Sequence, residues 1–451
     1  MKVYVGIDLG STTTKSVVLD EHGRIFGRGI TNSRSNYDVA CEIARGEALA
    51  DARFKIFGEL LSKSPELAAK RDEFLELLRR NFRLEQYLNS LGELEARCLV
   101  AAEQLQSVGA PAALVQSLRA LFAEMRVEAP SLYAPGAKVR SDFFRDLAGS
   151  RFAQLAKRQA LEHGVDFELL VSIYDKSILG VENTVATAAF QELLEAAVGR
   201  GLSEQASTRL ARELEAACRE ALEMHLVEAV SVGTGYGRAR LPFPKELIRS
   251  EILCHGLGAH AAFPDTRTVL DIGGQDTKAI QVDEHGVVTS FQMNDRCAAG
   301  CGRYLGYIAE EMNIGLHELG PIALRSKKPV RVSSTCTVFA GAELRDRLAG
   351  GHKREDILDG LHRAIMLRAM SLLARSGGVH EQFTFTGGVA KNPAAVRALK
   401  GLVRESYGER TLNISADSIY TGALGAAIFA LREERPGAEA APVLMGGAAC
   451  S

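Results

Sequence analysis

Two short segments place cysteine directly ahead of helical patterns. Met293-Asn294-Asp295-Arg296-Cys297-Ala298-Ala299-Gly300-Cys301-Gly302-Arg303 sets two thiols ahead of a helical pattern with Tyr304, Leu305, Ile308 and Met312 on one face. Ser333-Ser334-Thr335-Cys336-Thr337-Val338-Phe339 sets a third thiol ahead of another helical pattern. A helix N-terminus carries partial positive charge, which favours a thiolate and an anionic cluster. Free cysteine is also commonly a small buried hydrophobe. The Gly/Ser/Thr-rich, polar character of both loops argues against that reading. Zinc fits poorly, because neither loop holds histidine and the C-x₃-C spacing is not a usual zinc knuckle.

Three glycine turns surround these segments. Asp8-Leu9-Gly10-Ser11-Thr12-Thr13-Thr14-Lys15 follows an alternating strand pattern, as does Asp271-Ile272-Gly273-Gly274-Gln275-Asp276. The third is Thr386-Gly387-Gly388-Val389-Ala390-Lys391-Asn392. A strand ending in Asp and entering glycine with small hydroxyl residues offers backbone N–H groups to a phosphate at close range. Asp8 and Asp271 can each hold Mg²⁺ through water, because hard cations take carboxylate and water oxygen. Ser11, Thr12 and Thr13 can donate hydroxyls. Lys15 reaches phosphate or sits on the surface. Gln275, in the second turn, is the candidate that orients water for hydrolysis. A lone turn of this kind is as often an ordinary hairpin corner; three together point to a nucleotide.

The elements that position these turns repeat. Strand, glycine turn, strand, hairpin, strand occurs at 3–31 and again at 268–292, an internal duplication. Between the copies, residues 41–224 are rich in Leu, Ala, Glu and Arg at helical spacing, punctuated by Pro111, Pro130, Pro135 and Gly164. The expected layout is a first lobe from 1–40 and 225–262, a helical insertion at 41–224, a second lobe at 263–434 and a loosely held tail at 435–451. Helices are expected at about 300–313, 337–348, 354–376, 391–402 and 421–432.

The chain has 451 residues, 46% of them apolar, with a formal net charge of −2. That length implies two or three domains. The charge gives no case for nucleic acid or an anionic membrane. No apolar run approaches the ~20 residues of a membrane span. The N-terminal residues read as a strand rather than a signal peptide. A cytoplasmic protein is expected, with its cysteines (41, 98, 218, 254, 297, 301, 336 and 450) as thiols or metal ligands. Cys254 with His255, and the cysteines at 41, 98 and 218, read as packing or surface groups.

The three turns together resemble the actin, sugar-kinase and heat-shock-chaperone ATPase superfamily. That resemblance implies an α/β fold of two duplicated actin-like lobes, with ATP between them. Gly10, Gly273 and Gly274 would lie on the phosphates, and Gly387, Gly388 and Asn392 on the adenosine side. With the cysteine loops in order between the turns, residues 1–31 and 225–432 are similar to the iron–sulfur ATPases that activate 2-hydroxyacyl-CoA dehydratases and serve benzoyl-CoA reductase. This implies a [4Fe–4S] cluster at a two-subunit interface, with Cys297 and Cys336 as this chain's ligands. Cys301 would be a third ligand, a spare thiol or a buried small residue; the non-ligand roles are favoured because two subunits already supply four thiolates.

The insertion at 41–224 has no counterpart in the short dehydratase activators. It points to the large ATPase subunit of an ATP-dependent benzoyl-CoA reductase. The implied partners are a smaller ATPase subunit, two catalytic subunits binding benzoyl-CoA, and reduced ferredoxin. An activator of a dehydratase or related radical enzyme is the alternative. A sugar or acid kinase, lacking iron, is the rival from another class.

Overall fold

A computed structural model describes residues 1–33, 36–63, 65–106, 113–137, 144–183, 190–203, 208–237, 241–294, 301–332 and 337–436. The chain divides into two compact units. One comprises Met1–Ser33, Ala44–Leu49 and Leu226–Ser451, the other Arg34–Ile43 and Ala50–His225.

The first unit opens with strands β1 (Lys2–Leu9), β2 (Thr13–Asp20) and β3 (Ile25–Asn32). Val3, Val5, Ile7, Val17 and Leu19 are buried, as strand-forming residues on a covered sheet should be. β4 (Val227–Thr234) returns parallel to β1, giving the order β3-β2-β1-β4. The pattern then recurs with β5 (Thr268–Ile272), β6 (Thr277–Val282), β7 (Val288–Asn294) and β8 (Gln382–Thr386), extended by β9 (Thr411–Asn413). The second sheet runs β7-β6-β5-β8-β9. β1 pairs antiparallel with β2 so that Asp8 faces Lys15; β5 pairs with β6 so that Asp271 faces Lys278. The duplication therefore extends to register, with an Asp and a Lys seven residues on in each copy.

The other unit is helical. It contains α1 (Tyr37–Leu61), α2 (Pro65–Ala68), α3 (Arg71–Gln106), α4 (Ala113–Leu132), α5 (Phe144–His163), α6 (Phe167–Glu182), α7 (Phe190–Ser203) and α8 (Thr208–Glu223). Asn36 caps α1 and Asp166 caps α6, each side chain accepting from backbone N–H groups of the first turn. Leu91, Leu94, Phe122, Phe152 and Ile178 lie at the centre of its core. Pro130 does not break the region as expected: α4 runs through it to Leu132. Gly164, at φ +65°, does end α5.

The remaining helices are α9 (Glu251–Ala262), α10 (Gly302–Glu311), α11 (Leu319–Ala323), α12 (Thr337–Ala349), α13 (Arg354–Ser376), α14 (Pro393–Tyr407) and α15 (Thr421–Glu434). α13 and α14 cover the second sheet, with Leu361, Ile365, Leu399 and Phe385 in one core. α15 does not join them. It packs on the first sheet, where Ala423, Ala427 and Ile428 share a core with Tyr4, Val17 and Val232. A second-lobe boundary running through to residue 434 thus misplaces this helix, which returns to the sheet of the opening residues. α9 has one foot in each lobe. Cys254 and Leu257 join the first-sheet core, while Ile252 and Ala259 pack on Val269, Ile280 and Val282 of the second. In the expected tail, Arg435 donates to the Glu21 carbonyl, and residues from 437 onward lie outside the described set.

Candidate functional site

The three glycine turns converge. A Cβ placed on Gly274 would lie 2.1 Å from Thr12 Oγ1 and 3.4 Å from Ser11 Oγ, so the first and second turns touch. Gly387, at φ +85°, would carry a Cβ 2.3 Å from the Ile272 carbonyl and 3.0 Å from Asp271 Oδ1. Only glycine takes that conformation at that range. A fourth turn after β4 arrives in the same way, with Gly235 at φ +106° and its Cβ position 2.6 Å from Asp8 Oδ1.

Asp8 ends β1 and is 3% exposed. Its Oδ2 lies 3.5 Å from Lys15 Nζ, so Lys15 folds back onto the aspartate rather than out to solvent. Its Oδ1 is buried with no hydrogen-bond partner among the described residues. Ser33 braces this turn from the end of β3: its hydroxyl donates to the Gly10 carbonyl at 2.5 Å, and its N–H to the Thr12 carbonyl at 2.9 Å. Ser11 and Thr13 are half-buried and Thr12 is exposed.

Asp271 ends β5 and is 2% exposed, but its oxygens are engaged. Thr386 Oγ1 donates to Oδ1 at 2.8 Å, and Lys278 Nζ lies 3.4 Å from Oδ2. Lys278 itself is 1% exposed and also meets Asp276 at 2.7 Å and Glu251 at 2.9 Å. Burial alone would raise the Asp271 pKa; His255, Lys278 and Thr386 outweigh it and hold the carboxyl well below the ordinary range. Burial alone would lower Lys278, but Asp271, Glu251 and Asp276 hold it well above its usual value. Gln275 is half-buried in the second turn, and its side chain makes no hydrogen bond among the described residues. Gly388 has open space where a Cβ would lie.

Asn392 is placed differently from expectation. Its Oδ1 caps α14, accepting from Ala394 and Ala395 N–H, and its Nδ2 meets His362 Nε2 at 3.0 Å. Both ends of the amide are hydrogen-bonded inside the lobe.

Sequence reasoning passed over His255. It lies on α9, 6% exposed, with Nδ1 3.3 Å from Asp271 Oδ1 and Nε2 3.9 Å from Glu251 Oε1. Asp8, Glu251 and His255 each bring a ligand atom to within 4.8 Å of the others. Burial pulls the His255 pKa down; Asp271 pushes it further up, and the net shift is upward. The local signal was the Glu251–His255 spacing of four, which puts both on one helix face. The orphaned Oδ1 of Asp8, flanked by this buried group, suits the hydrated Mg²⁺ that accompanies a nucleotide.

Cys297 and Cys336 lie outside the described residues, but the helix after each is described. Cys301 is 1% exposed at the position preceding α10, and α12 begins at Thr337; the two helices pack together. Two thiolate segments that each lead into a helix N-terminus are a chemically suitable donor set for an anionic iron–sulfur group. α10 is also joined to the second glycine turn. Gly302 N–H donates to the Gly273 carbonyl and Arg303 N–H to the Gly274 carbonyl, both at 2.8 Å. The other described cysteines, at 41, 98, 218 and 254, are buried free thiols. Burial pushes Cys41, Cys218 and Cys254 up to about 12 and Cys98 to about 11, the opposite of a reactive thiolate. No helix among the described residues is long and apolar enough to cross a membrane.

The sequence profile of the BadF/BadG/BcrA/BcrD ATPase family matches residues 5–430. The (R)-2-hydroxyglutaryl-CoA dehydratase activating ATPase of Acidaminococcus fermentans is 40% identical over 237 residues, 52% of this chain and 86% of that protein. The 2-hydroxyisocaproyl-CoA dehydratase activator of Clostridioides difficile is 42% identical over 204 residues, 45% of this chain and 74% of its own length. A benzoyl-CoA reductase subunit of Thauera aromatica is 33% identical over 182 residues, 40% of this chain and 64% of its own length. Among solved structures, component A of the Acidaminococcus fermentans dehydratase superposes with a TM-score of 0.50, covering 96% of this chain and 99% of that one at 23% identity. The fold is the actin-like ATPase fold.

Proposed function

This chain belongs to the BadF/BadG/BcrA/BcrD ATPase family, and we propose that within it the chain hydrolyses ATP to drive a low-potential electron into a partner enzyme, as the activator of a 2-hydroxyacyl-CoA dehydratase or a related radical enzyme. The observation that carries the reading is the pair of hydrogen bonds from Gly302 and Arg303 to the carbonyls of Gly273 and Gly274. Displacement of the second turn by a phosphate is transmitted to the helix that comes after Cys297 and Cys301.

In this reading Gly10, Ser11, Thr12, Thr13, Gly273 and Gly274 receive the phosphates, with Lys15 held beside them on Asp8. Gly387 and Gly388 form the floor on the adenosine side. Asp8 would hold Mg²⁺ through water, and the metal would offset charge on the phosphates. Gln275 orients the water that attacks the γ-phosphorus; the bond to the ADP oxygen breaks, leaving ADP and phosphate. Cys297 and Cys336 would hold the [4Fe–4S] cluster together with the corresponding pair of a second ATPase subunit. The cluster supplies one-electron storage, charged from reduced ferredoxin. Cys301, buried before α10, is not a ligand in this scheme.

The more similar relatives are dehydratase activators, at 40% and 42% identity, and the Thauera reductase protein stands at 33%. They favour the activator over the large reductase subunit to which the insertion pointed. One observation keeps the reductase as a second reading: the Acidaminococcus activator aligns over 86% of its own length yet only 52% of this chain. The sequence match thus leaves about half of this chain unaligned.

Anaerobic purification with iron and sulfide analysis, phosphate-release assay and native mass spectrometry tests both. Cys297→Ser and Cys336→Ser should each lose the cluster and Cys301→Ser should keep it. A cluster-bearing homodimer that switches on a separate dehydratase supports the activator. A stable complex with a shorter ATPase subunit and two benzoyl-CoA-binding subunits supports the reductase. Iron-free protein without ATP hydrolysis would sink both.

A further inference from the structure

His255 is buried among charged side chains. It faces Asp271 at 3.3 Å, Glu251 at 3.9 Å on its own helix, and Asp8 within the same 4.8 Å group, with Lys278 bridging Asp271 and Glu251 from β6. The helix that carries it cannot slide. A Cβ on Gly258 would lie 2.1 Å from the Thr421 carbonyl, and one on Gly425 would lie 1.9 Å from the Cys254 carbonyl, so α9 and α15 meet backbone to backbone. On its other side, a Cβ on Gly256 would lie 2.7 Å from Val288 Cγ2 of the second sheet. Gly422, at the start of α15, leaves room for the ring: a Cβ there would lie 2.7 Å from His255 Nε2 and 3.1 Å from Asp8 Oδ2. The imidazole therefore has a fixed origin and a carboxylate from each glycine turn at its edge.

We propose that His255 is a positioning residue for ATP hydrolysis: it stands between Asp271 of the second turn, at 3.3 Å, and Asp8 of the first, within 4.8 Å, and sets their separation. The inference rests on the ATPase reading above. Its physical content is that the phosphates are gripped from both lobes at once. A spacing error of about 1 Å between the two turns can cost about a hundredfold in rate while each turn still binds. His255 touches neither nucleotide nor water in this role; it acts through the two aspartates.

Three substitutions separate positioning from space-filling. His255→Phe keeps most of the ring volume and removes both nitrogens. His255→Asn gives up volume but leaves an amide nitrogen where Nδ1 meets Asp271. Steady-state phosphate release should show kcat of His255→Phe reduced about thirtyfold, with KM for ATP within about threefold, and kcat of His255→Asn within about fivefold of wild type. A packing role predicts the reverse order. Should His255→Phe fail to fold, His255→Gln replaces it, because its nitrogen reaches the Nε2 position and leaves Asp271 unmet; the same loss in kcat is expected. Wild-type kcat in His255→Phe or His255→Gln, or a lower kcat in His255→Asn than in either, overturns the inference alone. A wild-type chain that hydrolyses no ATP overturns the ATPase reading and this inference with it.

Discussion

Asp8 and Asp271 hold the same place in two copies of one pattern. Each ends the first strand of its lobe, each faces a lysine seven residues on, and each enters a glycine turn. Their surroundings differ. Asp271 accepts from Thr386 and Lys278 and has His255 Nδ1 at 3.3 Å without a hydrogen bond, whereas Asp8 keeps one buried oxygen with no partner among the described residues. The duplicated pattern specifies the backbone; residues from elsewhere in the chain decide what each carboxylate does with it. On the proposed ATPase reading, this contrast leaves Asp8 to hold the metal through water and makes Asp271 the counter-ion that holds the second turn, a different division from the matched pair that the pattern alone implies.

The largest expected effect falls on Asp271 and Lys278. Removing one member of a buried ion pair leaves the other uncompensated, so Lys278→Met or Asp271→Asn should lower unfolding free energy by about 3–5 kcal/mol in denaturant titration. If either variant were as stable as wild type, the contrast between the two turns would fail. Next comes Asp8→Asn, which should reduce ATP hydrolysis about a hundredfold while leaving thermal stability near wild type. Loss of stability without loss of turnover would reverse the assignment. Lys15→Met is smaller: it leaves the buried Asp8 without its cation, but only one contact at 3.5 Å is lost, so it should cost about 1–3 kcal/mol.

The smallest effect is a pH slope. The His255 pKa is raised in the folded chain, so its contribution is fully present below its unfolded value of about 6.5 and is lost as pH rises through the folded value. Between those points wild-type stability should fall with pH more steeply than that of His255→Asn, by at most about 1.4 kcal/mol per pH unit. Parallel curves would mean that the ring does not carry its proton next to Asp271.

Much of this arrangement was legible in the chain. Strand alternation and Asp–Gly spacing located the two three-strand blocks at 3–31 and 268–292 to within a residue or two of their outer ends, because those signals are local. The site's second layer was not legible, because nothing local marks it. His255 acquires meaning only when α9 is laid across both sheets, and the glycines that permit this, at 258, 422 and 425, are unremarkable in sequence. Asn392 misled in the other direction: an Asn before Pro393 is a helix cap as readily as a ligand, and here it caps. α15 was assigned to the wrong lobe because sequence proximity suggested the second sheet, whereas its small residues match the crossing with β1 and α9.

That crossing joins parts of the chain that are made far apart in time. A Cβ on Gly6 of β1 would lie 2.1 Å from the Ala423 carbonyl and from the Ala427 nitrogen, so β1 is completed only by a helix some four hundred residues later. At a synthesis rate of about 5–20 residues per second, the strand that carries Asp8 waits tens of seconds for its cover. During that interval β1 and β2 present Val, Ile and Leu to solvent, and the first glycine turn has no fixed neighbour. The first lobe is therefore finished only after synthesis reaches α15, and a ribosome-bound chain stopped short of residue 421 would expose these strands to chaperones and to aggregation.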